Sequence, residues 1–177
     1  MEKWFEGENV SLRALEPEDL ALLYTLENDT NLWFLTSTSV PYSRYLLKQY
    51  IAENAHDIYV DGQLRLIIEE KNSRKTIGMV DLFNYDIHHR RAEVGIILLE
   101  EYRSQGFASE ALSLLETYSV VFLALKQLYA FVCVKNTASI KLFQAQGYLL
   151  KSSLLSWIRI GNSYEDVAVL QKIFDKI

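Results

Sequence analysis

The sequence predicts an α/β (α+β) chain, a mixed sheet with helices on both faces, and three observations carry that prediction. Apolar segments that alternate or run continuously are interleaved with segments of 3.6-residue period, in the order β-α-α-β-β-β-α-β-α-β-β. Short polar turns join successive strands as hairpins. Chain-breaking residues are sparse, with 7 Gly and 2 Pro, and no Pro/Ser/Gly-rich linker or internal repeat is present, so residues 1–177 read as a single domain.

Residues 10–15 alternate apolar and polar side chains, the pattern of a half-buried strand. Glu16, Pro17, Glu18 and Asp19 then open a helix, because Pro lacks the donor that a first turn leaves unpaired and acids favour the positive end of the helix dipole. Leu20, Leu23, Tyr24 and Glu27 continue it. A loop over 31–38 follows, then a second helix from Ser43 through Tyr45, Leu46, Tyr50 and Ile51. Strands at 64–69, 76–85 and 92–98 are joined by turns at 71–74 and 86–90. Ala111, Leu115, Tyr118, Phe122 and Leu125 keep a helical period, and Leu112, Leu114 and Val121 widen its stripe, which predicts a deeply packed helix. A strand at 128–134, a helix at 137–146 and a hairpin of 148–160 with 163–170 around Gly161-Asn162 complete the chain.

Composition limits the function classes. With 50% hydrophobic and 23% charged residues the chain is globular rather than disordered. A net charge of −5 argues against a nucleic-acid partner, which calls for a basic face, and is compatible with a cationic substrate. The lone Cys133 rules out an internal disulfide and a thiolate zinc site, and its strand-like setting reads as a buried, inert thiol. The N-terminus has no signal-peptide pattern, and the longest apolar run, 120–125, is too short to cross a bilayer, so no membrane association and a cytoplasmic location are expected. No metal is expected either. His88 and His89 accompany Asp86, but adjacent residues on a strand point to opposite faces, and His56 sits in a polar connector.

Two segments carry chemistry. Arg103-Ser104-Gln105-Gly106-Phe107-Ala108 lies between a strand and the long helix. A small-residue loop at a helix start exposes backbone N–H groups that have no intrahelical partner, and with the dipole they suit a pyrophosphate. Gly106 permits close approach, Ala108 keeps the first turn uncrowded, and Arg103 can add a charge-assisted contact. The second segment, residues 136–148, opens on the capping-type Asn136 and closes with Gly147 just past a helix. On its own, it is simply a well-capped amphipathic helix.

In this order, the pair resembles the GNAT superfamily of acetyltransferases. The first segment matches that family's Arg/Gln-x-x-Gly-x-Gly/Ala loop. The second matches its Asn-x-x-Ser/Ala-x-x-Leu-Phe/Tyr-x-x-x-Gly-Phe/Tyr block. The resemblance runs from the strand at Val10 to that at Leu170 and is closest to the branch of spermidine N-acetyltransferases and ribosomal-protein N-terminal acetyltransferases, which residues 88–97 and 156–168 resemble. It implies a mostly antiparallel central sheet of about six or seven strands, with acetyl-CoA in a cleft where the strand from Glu93 splays from the strand at 128–134. By the same resemblance Ile96, Ile97 and Leu98 offer backbone groups to the pantetheine arm. Arg103, Ser104, Gln105, Gly106, Phe107, Ala108 and Ser109 hold the pyrophosphate, and Asn136 and Ser139 adjoin the bound co-substrate.

The implied reaction is direct attack of a neutral primary amine on the thioester in a ternary complex. Glu93 is the candidate base, with a solvated strand-end carboxylate as its plain alternative. Where many members carry a Tyr that protonates the leaving thiolate, this chain has Phe143, and neither Tyr148 nor Ser139 can be placed at the sulfur from sequence. Glu27, Asp29, Asp81, Asp86 and Glu93 are candidate carboxylates for a polyamine such as spermidine, and Trp33, Phe34 and Trp157 are candidate rim residues. A protein N-terminus, an amino sugar nucleotide, another small amine, or a catalytically quiet acyl-CoA-binding module are the alternatives. Open strand edges make a homo-oligomer an expectation.

Overall fold

The computed structural model describes residues 4–30, 32–33, 40–53 and 57–174. Of the predicted loop at 31–38 only Leu32 and Trp33 fall inside that range, so Phe34 lies outside the described residues, as does His56. Among the described residues seven strands form one sheet: β1 (Val10–Ala14), β2 (Leu64–Glu70), β3 (Lys75–Asp86), β4 (Arg91–Leu98), β5 (Gln127–Cys133), β6 (Leu149–Ile160) and β7 (Ser163–Ile173). Their order is β1-β2-β3-β4-β5-β7-β6. Every neighbouring pair is antiparallel except β4 and β5, which run parallel. The helices are α1 (Leu20–Glu27), α2 (Arg44–Glu53), α3 (Ile58–Asp61), α4 (Phe107–Val121) and α5 (Thr137–Ala145).

Because strand side chains alternate, the sheet buries a different set on each face. Ile67 of β2 and Met79 of β3 join Leu22, Leu23 and Leu26 of α1 with Leu47 and Ile51 of α2 in one core. On the other face Leu66, Val80, Leu82, Ala92 and Val94 pack with Ala111, Leu112 and Leu115 of α4 and Phe143 of α5. The start of α1 is fixed by a 3-10 turn at Pro17–Asp19. Asp19 accepts from the Glu16 N–H at 2.9 Å and is clasped by both terminal nitrogens of Arg13 at 2.7 and 2.8 Å. The final hairpin closes at Ile160 opposite Ser163, with Gly161 left-handed at φ 61 in the tight turn.

Two local expectations are corrected. The long helix does not continue to Leu125: it ends at Val121, and Ala124 at φ 53 reverses the chain toward β5. Val121 and Phe122 are therefore 60% and 54% exposed, while Leu123 and Leu125 are turned inward. The connector before β2 contains α3, capped by Asp57, which accepts from the Tyr59 N–H at 2.9 Å, and stopped by left-handed Gly62. His88 and His89 lie in the β3–β4 turn, where the sequence placed a turn at 86–90, and their rings lie edge-on with centroids 4.7 Å apart. Cys133 is buried, as its setting indicated. Among the described residues no helix is long and apolar enough to cross a membrane.

Candidate active site

β4 and β5 pair over three positions only: Arg91 with Gln127, Ala92 with Leu128, and Glu93 with Tyr129. Beyond Glu93 they part. β4 stays with β3 as far as Leu98 opposite Gly78, and β5 stays with β7 as far as Cys133 opposite Val167. Each then presents an unpaired backbone edge to the wedge between them, and such an edge accepts an extended, amide-bearing chain as if it were another strand. A cleft of about 1480 Å³ fills the wedge and opens toward both faces of the sheet. Ile96, Ile97 and Leu98 all line it. The Ile96 side chain packs into the α4–α5 core and that of Ile97 against the α1–α2 core, which leaves their backbone for the cleft.

At one end of the cleft lies the loop that opens α4. Ser104 has φ 59 and Gly106 has φ 89, and two left-handed residues so close together turn successive backbone N–H groups toward one concavity. A Cβ built on Gly106 would meet nothing within 4 Å, so the loop looks onto open space rather than packed protein. Arg103 ties the loop to the end of β4, its Nε donating to the Leu98 carbonyl at 3.1 Å. Arg103, Ser104, Gly106, Ala108 and Ser109 line the cleft. Gln105 and Phe107 can offer it only backbone: the Gln105 amide donates to the Glu101 carbonyl at 2.8 Å, and the Phe107 ring packs inward beside Tyr102. Ser109 is anchored to the far end of α5 by Gln146, whose amide donates to its carbonyl at 3.2 Å and also to its hydroxyl.

On α5, Asn136 caps the helix, its carboxamide oxygen accepting from the Ser139 N–H at 3.1 Å. Both also line the cleft, so capping and proximity coexist. Phe143, one helical turn beyond Ser139, lines it too. Its ring lies edge-on to that of Tyr148 at 5.0 Å. Tyr148 is 1% exposed and sits behind Phe143, outside the cleft lining. Its hydroxyl feels the charge of buried Glu116 without making a hydrogen bond of good geometry, and burial first, then that charge, pushes its pKa far up. Tyr148 is therefore not placed to protonate a thiolate in the cleft.

The other end opens on the α1–α2 face. Here Glu93 is only 8% exposed, so it is not the solvated strand-end carboxylate that was its plain alternative. Asn84 donates to its Oε2 at 2.8 Å. Burial raises the Glu93 pKa, and the Asn84 bond opposes part of that rise. Arg65 organises the neighbouring acids. It forks onto Asp81 at 3.0 and 3.1 Å and reaches Glu27 at 2.7 Å. Burial works against that guanidinium, but Asp81, by charge and hydrogen bond, and then Glu27 outweigh it. Glu27 and Asp81 thus line the cleft as partners of a cation, and Asp86, the last residue of β3, pairs with Arg91 at 3.2 Å. Trp33 donates from its indole to the Glu27 carbonyl at 2.9 Å, and it and Trp157 both border the cleft. Arg65 and Asn84 were not singled out from the sequence. The available signals were a cation flanked by Leu64 and Leu66 at the start of an apolar stretch and an Asn, which strands disfavour, at a position that turned out to be irregular.

An unpaired strand edge, an anion-suited loop one strand away and a buried carboxylate where the strands divide are a donor set that fits acetyl-CoA. Comparison with known proteins agrees. Residues 9–148 match the family described as acetyltransferase (GNAT) domain.

The chain belongs to the GNAT acetyltransferase family.

It is similar to the spermidine N(1)-acetyltransferase of Vibrio cholerae serotype O1, with 30% identity over 162 residues that cover 89% of each chain. Among solved structures it is similar to spermidine N-acetyltransferase from Vibrio cholerae in complex with CoA and spermine, at TM-score 0.82 and 28% identity, covering 94% of this chain and 96% of that one. A dodecameric structure of spermidine N-acetyltransferase from Vibrio cholerae matches at TM-score 0.79 and 28% identity, covering 94% and 95%. The GNAT resemblance and the mostly antiparallel sheet expected with it are borne out. This chain is an acetyl-CoA-dependent N-acetyltransferase that acts on a primary amine.

Proposed function

We propose that the chain acetylates a polyamine such as spermidine, with Glu93 as the base. The observation that carries this reading is the position of Glu93: a buried carboxylate at the last paired residue before β4 and β5 separate. Acetyl-CoA supplies the thioester carbonyl that the amine attacks and the sulfur that leaves. The loop from Arg103 to Ser109 binds the pyrophosphate, and the backbone of Ile96, Ile97 and Leu98 aligns the pantetheine arm. Asn136 and Ser139 adjoin it from α5. The open backbone N–H groups of β4 stabilise negative charge as it develops on the carbonyl oxygen. Glu93 takes the proton that the nitrogen must lose, and burial makes it a better base than a solvated carboxylate.

Phe143 closes the site with an apolar wall and offers no proton. Departure as thiolate remains accessible, since a thiol pKa of about 8.5 makes sulfur a fair leaving group. A cationic acceptor would meet Glu27, Asp81 and Glu93, the first two held by Arg65, with Arg159 a further cation in the cleft lining. A cytoplasmic location and self-association, as in the dodecameric relative, complete the reading.

The test is release of CoA thiol from acetyl-CoA with spermidine, spermine, a simple monoamine and a peptide with a free N-terminus. Turnover with the polyamines above the other two is expected. Preference for the peptide would transfer the activity to protein N-termini, and binding of acetyl-CoA without turnover of any amine would leave an acyl-CoA-binding module. Glu93→Gln is expected to lower kcat more than it weakens acetyl-CoA binding, with partial recovery at high pH, where more amine arrives already neutral.

A further inference from the structure

The end of β3 is irregular beside the proposed base. Phe83 lies opposite Glu93 and Asp86 opposite Arg91, so Asn84 and Tyr85 together face the single residue Ala92. This is a β-bulge, which bends a strand and re-aims its side chains. Asn84 occupies it at φ 51, in the left-handed region that Asn tolerates better than most other residues with a Cβ. Regular alternation would send the Asn84 side chain to the same face as Leu82, away from Phe83 and Glu93. Instead, Nδ2 of Asn84 donates to Oε2 of Glu93 at 2.8 Å. Asn84 is exposed and Glu93 buried, and both line the cleft, so the amide reaches the carboxylate from the solvent side of the site.

The charged and titratable groups around Glu93 are few. Tyr129 pairs with it from β5, and the Asp86–Arg91 ion pair lies beyond it along the strands. On the α1 side stand Arg65, Asp81 and Glu27, which bond to one another. Among the described residues the Asn84 amide alone donates a hydrogen bond to the Glu93 carboxylate.

We infer that Asn84 is a positioning residue for Glu93: the bulge fixes its amide on Oε2 and leaves Oε1 to take the proton from the acceptor amine. The inference rests on the reading of Glu93 as base. The bond also keeps the group usable. Burial favours the protonated acid, which cannot accept a proton, whereas a donor aimed at the carboxylate favours the ionised form. The strained backbone at Asn84 is the local cost of aiming that donor.

The test compares kcat against pH for the wild type, Asn84→Gly and Glu93→Gln, with acetyl-CoA affinity and melting temperature measured on each. Gly accepts the left-handed backbone without strain, so this change removes the amide and spares the bulge. The acidic limb of the Asn84→Gly profile is expected to move up by about one pH unit, a tenfold loss well below the limb, with kcat near normal above it and acetyl-CoA affinity unchanged. Asn84→Asp, which sets a second carboxylate against Glu93, is expected to move the limb further in the same direction. If Glu93→Gln abolishes the limb while Asn84→Gly leaves it in place, or lowers kcat equally at every pH, the positioning role is wrong and the base survives. If Glu93→Gln keeps the wild-type limb, the base reading fails and the inference fails with it.

Discussion

A carboxylate folded into a sheet is costly to ionise, and Glu93 carries that cost at the position proposed for the base. Its folded pKa is raised, so its contribution to stability is fully present below the unfolded value and is lost as pH rises through the folded value. Gln keeps the shape, can still accept from Asn84 and carries no charge. Glu93→Gln is therefore expected to melt higher than the wild type at neutral and alkaline pH, with the difference fading at about pH 4, where both folded and unfolded carboxyls are protonated. A melting temperature equal to or below that of the wild type at pH 8 would show that burial is not what governs this group. Phe143 poses the complementary question, because it stands where the GNAT resemblance calls for a Tyr in many members. If thiolate departure limits the rate, Phe143→Tyr is expected to increase kcat with little change in acetyl-CoA affinity. The site is only 3% exposed, so a hydroxyl that found no partner there would cost about 1–3 kcal/mol, and melting must be followed alongside turnover. Unchanged kcat in an equally stable variant would show that water already supplies the proton or that another step limits.

The loop that opens α4 is both a helix start and a left-handed turn, the two features on which its proposed pyrophosphate role rests. Acetyl-CoA is expected to raise the melting temperature of the wild type by ligand linkage, and Gly106→Glu to abolish that rise. At φ 89 any side chain strains the backbone, so Gly106→Ala is the necessary companion. Both variants carry the strain, and only Glu adds bulk and negative charge against the pyrophosphate. Loss of the rise in both alike would assign the effect to backbone strain rather than charge. This loop, like the seven strands and the long helices, was legible in the sequence because its signals are local: a period of 2 or 3.6, small residues at a helix start, a Gly past a helix end. The functional cleft was less so, since its decisive features depend on which strands meet and where pairing stops. The parting of β4 and β5 after Glu93 is set by registers on either side, as β4 follows β3 while β5 follows β7. Arg65 meets Glu27 from 38 residues away. The bulge at Asn84 depends on the count of residues in two strands together, and the early end of α4 depends on Ala124 reversing the chain, a conformation that composition does not announce.

Across the whole molecule the sheet is unevenly protected. Its β1 side and centre are buried between two cores, whereas β6, at the opposite edge, presents a long apolar surface. Leu149, Leu150 and Leu155 on β6 are 59%, 54% and 75% exposed, and Tyr164 on β7 is 61% exposed. Several large apolar side chains exposed on one edge of a sheet mark a candidate interaction surface. A bare strand edge of this length would also be a template for indefinite pairing, but β6 is interrupted by two register shifts, at Leu150/Ser152 and Leu154/Ile158, and carries Lys151 and Arg159. Association at β6 would therefore use side chains rather than the backbone edge. Self-association, proposed above from the dodecameric relative, would seat a second copy of this chain on this surface. Light scattering behind size exclusion is expected to give a mass of several chains for the wild type. Leu155→Glu, which sets a charge at the most exposed of these leucines and touches no residue of the cleft lining, is expected to give a smaller species whose melting temperature is within a few degrees of the wild type after allowing for lost association. A wild-type protein that runs as a monomer at micromolar concentration would remove the assembly. A variant of unchanged mass would move the interface to another face.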